Sequence, residues 1–597
     1  MVKILSKFTV GIRVSFLPRA FATRELAETY HTTKASKERL YGMITAVEFA
    51  TDGTKMAVID VEGFAELPVR IKLGSLKDES ATTATTTPME DIQGQPETTE
   101  IEGLVDYESD SSSESDADDN DDSVDNNEDE EHVDQWRDDE IVIDRRFIDL
   151  GYMQQPQLTL HDIASKTPLD MFKHFLPMDY IGEHVIHAIN ANAAAMSIQY
   201  WKTLTIDEYL LWIGLWTAMV LIPLSDRAEY WSTTPTFLRM SPLNFGRWMP
   251  KRRFDSILQA HTLEHPDVIS SSRDPLVAIR AFVDAYNDNL VTAMIPGRTM
   301  TIDESMNQWL GKVSRMPNVK KIIGKPHPVG QEFKNIADAS TNIMLRLDIS
   351  EKKQEGKKFS NLGLVPGCML RLTEPWFATG RTIVADSWFG SPASVAALRK
   401  KGLYSILALK KRKYWPRNVP SDIIDNLPSI YGSHVCKVKT IDDVPMFVAA
   451  LRDRKPQCLI STCSTTLPGS VVSHIVKDNN QSRRVTFQRP VVFDEYHAAK
   501  GAIDINNNIR DNMASYHDVI RSQSWQHRSF AFFLAVAEAN AFLAWRAFGS
   551  ENLRGITHYK FRERLASELV NGYAPYNPRS NVTARGHTHK IVGVGHK

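Results

Sequence analysis

Ile383-Val384-Ala385-Asp386-Ser387-Trp388-Phe389-Gly390-Ser391-Pro392 is the stretch that decides the fold class. A short apolar run of β-formers ends on a carboxylate at Asp386. Ser391 and Pro392 then occupy the N-cap and first-turn positions of a helix over Ala393–Lys400. Tyr404–Leu409 reads as the next strand. Strand, helix and strand in this order make a βαβ unit, with its acid at the strand's carboxyl end, where α/β folds place their chemistry.

Outward from this unit the pattern separates helical flanks from a strand-rich centre. Thr299–Asp303, Phe333–Ala339, Met344–Ile349, Arg381–Asp386, Met446–Leu451 and Gln457–Cys463 read as strands. Pro168–Asn192, Thr205–Leu224, Phe254–His261, Pro275–Met294 and Ser529–Ala547 read as helices, the second opened by a Thr205/Glu208 capping box. A second strand also ends on acids, Met300-Thr301-Ile302-Asp303-Glu304. A carboxylate at the rim of an apolar sheet is costly unless a cation compensates it. A helix cap or ion pair accounts for one such aspartate, and two at strand ends bring a Mg²⁺ site into equal consideration.

The wording around these acids resembles the piggyBac-type DDE transposases. Thr301-Ile302-Asp303-Glu304, Gly311-Lys312 and Lys325-Pro326-His327-Pro328-Val329-Gly330 are similar to the family's first catalytic block. Asp386-Ser387-Trp388-Phe389-Gly390-Ser391 is similar to its second block, and Tyr496-His497-Ala498-Ala499-Lys500-Gly501-Ala502-Ile503-Asp504 to its third. Asp274-Pro275-Leu276, Ile279-Arg280 and Pro296-Gly297 fit the approach to the first block. Trp525 and Asn540 fit the closing helices. The likeness spans Pro168 to Phe548.

The resemblance implies an α/β, RNase H-like catalytic core, interrupted by an insertion and flanked by helical DNA-binding and dimerisation segments. It implies catalysis by Asp303, Asp386 and Asp504, holding two Mg²⁺ or Mn²⁺ ions with Asn507 as a further ligand. The implied activity is hairpin-resolved cut-and-paste transposition of double-stranded DNA into a TTAA target, by a homodimer in the nucleus. On this basis the chain divides into a small all-β module (1–76), an acidic disordered linker (77–149) and a first helical part (150–295). The core (296–412), an insertion (413–486), a second core piece (487–506), a second helical part (507–560) and a basic tail (561–597) follow.

Departures from the family bear on catalysis. A further acid expected after the third aspartate is replaced by Asn507, which keeps an oxygen but loses a charge. Ser387, Ala502 and Lys312 are milder changes, and Lys312 still meets a phosphate as a point charge. The family's cysteine-rich finger is absent, no cysteine following Cys463. A tail with His587, His589 and His596 stands there instead, and reads as disordered and basic. These changes leave open an alternative, a domesticated DNA- or chromatin-binding protein with weak or no catalysis.

Charge agrees with a polyanionic partner. The 597 residues carry 70 Lys plus Arg and 73 Asp plus Glu, a net charge of -3. Between Asp106 and Glu140 stand 18 acids and one base, a local charge of -17, so the remainder carries +14. Candidate DNA contacts are Lys312, Lys325, Trp388, Trp525 and the cluster Lys410-Lys411-Arg412-Lys413. That cluster serves equally as a nuclear import signal. Lys251-Arg252-Arg253 is a second basic candidate. Four scattered cysteines exclude a disulfide scaffold, and no apolar run reaches the length of a membrane span.

The basic stretch Met1–Arg24 mimics a mitochondrial presequence. Period-two alternation over Phe8–Phe16 favours a strand instead, with Leu40–Phe49, Lys55–Val61 and Ala65–Leu73 completing an SH3- or Tudor-like barrel. Such a module suits a peptide or chromatin ligand by fold analogy alone.

Overall fold

A computed structural model describes strand segments 13–16, 40–49, 55–61, 69–72 and 76–78. It also describes residues 136–138, 155–235, 241–322, 328–351, 356–409, 415–416, 418–478, 481–520, 524–549 and 555–573. The chain separates into two units, Met1–Glu108 and Ser109–Lys597.

In the first unit, β1 (Arg13–Phe16), β2 (Leu40–Phe49), β3 (Lys55–Val61), β4 (Val69–Lys72) and β5 (Leu76–Asp78) form one antiparallel sheet, ordered β4-β3-β2-β1-β5. The tail histidines His587, His589 and His596 lie outside the described residues.

The second unit is built on a sheet that begins with a short edge strand, β6 (Arg137–Asp138). After the two-residue strand β7 (Gln157–Leu158) come α1 (Pro168–His174), α2 (Ile186–Ala195), α3 (Ile206–Leu221), α4 (Lys251–Ala260) and α5 (Val277–Ala293). The expected helix Pro168–Asn192 is broken after His174, because Pro177 follows two residues after the C-cap Phe175. The Thr205 cap on Glu208 forms at 3.3 Å. The Glu208 carboxylate does not turn back to complete the box, being gripped by Arg253 at 2.7 and 2.6 Å.

The central strands are β8 (Met294–Ile295), β9 (Thr299–Gln308), β10 (Val319–Lys321), β11 (Val329–Asp338), β12 (Met344–Ile349), β13 (Thr382–Ala385) and β14 (Tyr404–Ala408). Helix α6 (Leu364–Thr373) precedes β13 and α7 (Pro392–Lys400) follows it. Strands β9, β11 and β12 pair antiparallel, while β13 and β14 join parallel to β9, giving the order β12-β11-β9-β13-β14. Three antiparallel strands followed by two parallel ones, with helices against the sheet, form an RNase H-like core.

The insertion continues this sheet. β15 (His434–Ile441), β16 (Val444–Arg452) and β17 (Pro456–Ser461) add beyond β14, and β6 closes the edge on β15. Residues 136–138, from the stretch read as a disordered linker, are thus paired, with Trp136 Nε1 donating to Asn418 O at 2.7 Å. β18 (Pro468–Asp478) and β19 (Gln481–Pro490) form a separate hairpin. Then α8 (Val491–Ala499), α9 (Ala502–Asp511), α10 (Trp525–Phe548) and α11 (His558–Tyr573) complete the unit.

The two helical parts, far apart in sequence, are one packed layer. Gly214 in α3 makes this possible, since a Cβ there would lie 2.7 Å from Leu569 Cβ on α11. That helix runs on to Tyr573, past the boundary drawn at residue 560.

Helix α10 is long and apolar enough for a bilayer, yet 89% of its apolar window is buried in the protein. Its polar interruptions have work inside the core. Burial alone would raise the Glu538 carboxyl, but Arg562 (2.6 Å) and His558 (2.7 Å) hold it down to about 2. Asn540 accepts from Met344 N at 2.9 Å and donates to Met344 O at 2.8 Å. Asn287 on α5 does the same for Leu347 at 2.8 and 2.9 Å. Two amides thereby satisfy the open edge of β12, which pairs on its other side with β11. Replacing Asn540 with Leu strands both Met344 groups and is expected to cost on the order of 2–4 kcal/mol, measured by urea unfolding.

Candidate active site

Asp303 does not end its strand. β9 continues to Gln308, paired with β11 throughout, whereas β13 stops at Ala385 opposite Ile302. The short strand ends where Asp303 begins, and Asp386, the next residue of the chain, emerges beside it. The expected strand end at Asp303 is really the end of its neighbour. The strand keeps going because α9 and α10 cover the face of Ser305 and Asn307, which bond Asn507 and Ser529.

Carboxylate oxygens of Asp303, Glu304 and Asp386 all lie within 4.8 Å of one another. Asp303 is 9% exposed and Glu304 4%. Trp388 N donates to Asp386 Oδ1 at 3.0 Å and Glu304 N to Asp303 Oδ1 at 2.7 Å. Burial and the charges of Glu304, Asp386 and Asp504 hold the Asp303 carboxyl well above the usual carboxylate range. Tyr496, buried behind the acids, is also pushed up, by burial first and then by Asp386 and Asp303. Hard oxygen donors, close together and poorly solvated, fit a divalent cation.

Asp504 stands in the first turn of α9, where the helix N-terminus favours a negative charge. It acts electrostatically on Asp303 but is not part of the tight group of three. Asn507, one turn later, is tied to β9: its Oδ1 accepts from Ser305 Oγ at 2.7 Å and its Nδ2 donates to Glu304 O at 3.2 Å. Asn335 meets the same Ser305 hydroxyl from β11.

The remaining expected residues separate by location. Lys312 is exposed on the loop after β9, its carbonyl accepting from Trp309 Nε1 at 2.9 Å. Trp388 is half-buried, and Trp525 opens α10, packed against the core. Lys325 and Lys410, Lys411, Arg412 and Lys413 lie outside the described residues. Of the second basic candidate, Lys251 pairs with Asp255 at 2.7 Å, Arg253 with Glu208, and Arg252 lies over the Tyr200 ring.

Three groups escaped the sequence reading: Glu304 as a member of the cluster, and Glu332 and Lys334 on β11. Burial would raise the Glu332 carboxyl, but Lys334 and Lys320 hold it down to about 2. The signal was present in Gln331-Glu332-Phe333-Lys334-Asn335, where Glu and Lys two apart in an otherwise buried strand share one face. Gly390 is fixed by close approach, since a Cβ there would lie 1.8 Å from Ala408 O.

A family model described as Transposase IS4 matches residues 167–542. The chain belongs to this family of DDE transposases, and its likeness to the piggyBac type holds. A solved piggyBac transposase synaptic complex with hairpin DNA is similar in fold, with a TM-score of 0.55 at 18% sequence identity. The match covers 72% of this chain and 86% of that one. No curated protein matches the chain.

A carboxyl held above its ordinary range destabilises the fold wherever the unfolded chain would ionise it. Metal-free Asp303→Asn is therefore expected to be more stable than wild type by about 1–3 kcal/mol near neutral pH. The gap should close as pH falls toward about 4. Thermal denaturation in chelator across that range reads it. A second change, Gly390→Ala, should cost about 1–3 kcal/mol by overpacking, read by the same melts.

Proposed function

We propose that the protein is a metal-dependent transposase that cuts and joins double-stranded DNA, taking transposon ends and a TTAA target as its substrates. The carrying observation is the convergence of the Asp303, Glu304 and Asp386 carboxylates within 4.8 Å, beside Asp504, in a chain of the DDE family. Asp303, Asp386 and Asp504 would hold two Mg²⁺ or Mn²⁺ ions, which when bound activate the attacking oxygen and stabilise the leaving one in an in-line displacement.

The chain's own residues do the positioning. Asp386 is aimed by the Trp388 N–H, and Asp504 by the start of α9. Asn507 adds an oxygen only while sharing it with the Ser305 hydroxyl. Lys312, Lys325, Trp388, Lys410 to Lys413 and Trp525 are the proposed DNA contacts, consistent with the basic remainder of the chain. A homodimer in the nucleus, and an SH3- or Tudor-like first unit taking a chromatin or peptide ligand, belong to the same reading. One observation favours a second reading, a DNA-binding protein with little catalysis: Asn507 replaces an acid and is wired into the sheet.

Purified protein with Mn²⁺ or Mg²⁺ should nick DNA bearing its own element's ends, and Asp386→Ala should lower the rate at least about 100-fold. Equal inertness of both proteins under conditions where both bind DNA leaves the binding reading standing and removes the enzyme. In either case log K for DNA should fall linearly with log salt, measured by fluorescence anisotropy.

A further inference from the structure

We infer that Lys334 is the internal counter-ion of Glu304, and that this pairing keeps Glu304 from serving as a metal ligand and sets the site's affinity for divalent cations. The inference rests on the metal-site reading of Asp303 and Asp386.

Strand register gives the two adjoining acids different cross-strand partners. Asn335 stands opposite Asp303 and Lys334 opposite Glu304, so the two neighbouring acids leave opposite faces of the sheet while their carboxylates still lie within 4.8 Å of each other. Asp303 shares its face with Ser305 and Asn507, toward α9. Glu304 shares the other face with Lys334 and Glu332. There Lys334 Nζ lies 2.8 Å from Glu332 Oε1 and 3.7 Å from Glu304 Oε2, with its side chain 4% exposed. Lys320 Nζ reaches Glu332 Oε2 at 2.8 Å and Ser350 Oγ at 2.9 Å. Two lysines thus balance two glutamates beside the site, with Lys334, Glu304 and Glu332 buried and Lys320 partly exposed.

The same ammonium sits 3.8 Å from the centroid of the Trp388 ring. Trp388 in turn orients Asp386 through its backbone N–H. Lys334 is therefore a positioning residue. It neutralises one acid of the cluster and steadies the segment that presents another. A buried positive charge at this distance also opposes the arrival of a second cation, an effect that low effective dielectric amplifies.

Charge balance and ligation make opposite forecasts for a double substitution. Mn²⁺ binding to the purified full-length protein without DNA, followed by electron paramagnetic resonance of free Mn²⁺, reads them. Asp303→Asn should lose binding. Glu304→Gln should weaken it only a few-fold, and Lys334→Met should tighten it at least about fivefold. The double variant Glu304→Gln/Lys334→Met should return to within about twofold of wild type, because both opposing charges are gone. If Lys334→Met does not fold, the comparison of the double variant with Glu304→Gln alone carries the test. A double variant as weak as Glu304→Gln overturns the inference in favour of Glu304 as a ligand. Unchanged affinity in a folded Lys334→Met overturns it in favour of a purely structural lysine. Wild-type Mn²⁺ binding by Asp303→Asn instead removes the metal-site reading itself, and this inference with it.

Discussion

Gathering several carboxylates at one poorly solvated point is the constraint on which the structure turns. Each buried anion costs several kcal/mol unless an opposite charge or good hydrogen bonds accompany it. The fold meets that cost differently on its two faces. Toward α9 the acids meet a helix N-terminus and an amide network through Ser305, Asn335 and Asn507. On the opposite face Lys334 and Lys320 supply ammonium groups. Asp303, between them, remains strained toward its protonated form, which is the condition under which a divalent cation binds with the greatest benefit.

Strand length creates this point. β13 is four residues long and β9 ten, so the sheet has a step in it at Asp303. A chain leaving β13 at that step delivers Asp386 alongside its partner without a long loop. Gly390 then lets the outgoing segment pass against the carbonyl of Ala408. The motif around Asp386 is therefore as much a packing solution as a chemical one.

The surrounding helices obey the same rule about buried polarity. Glu538 has Arg562, His558 and the Tyr516 hydroxyl. Asn540 and Asn287 complete the edge of β12. These residues make α10 a core helix, although its composition alone resembles that of a membrane span.

The sequence by itself determined the βαβ unit around Asp386, most central strands to within a few residues, and the candidate acids Asp303 and Asp386, while Asp504 came from the family resemblance. These signals are local: apolar runs, a Ser-Pro cap, and acids placed against them. Only the tertiary structure decided what depends on register between distant segments. It continued β9 past Asp303, because α9 and α10 cover residues that look like loop when read alone. It brought Glu304, Glu332 and Lys334 to one face, because cross-strand pairing is not encoded in the spacing of either strand. It joined the helices on both sides of the core through Gly214 and Leu569, a contact between residues more than three hundred positions apart in the chain. Local sequence fixes which groups are available, and burial against remote partners decides which charges they must answer.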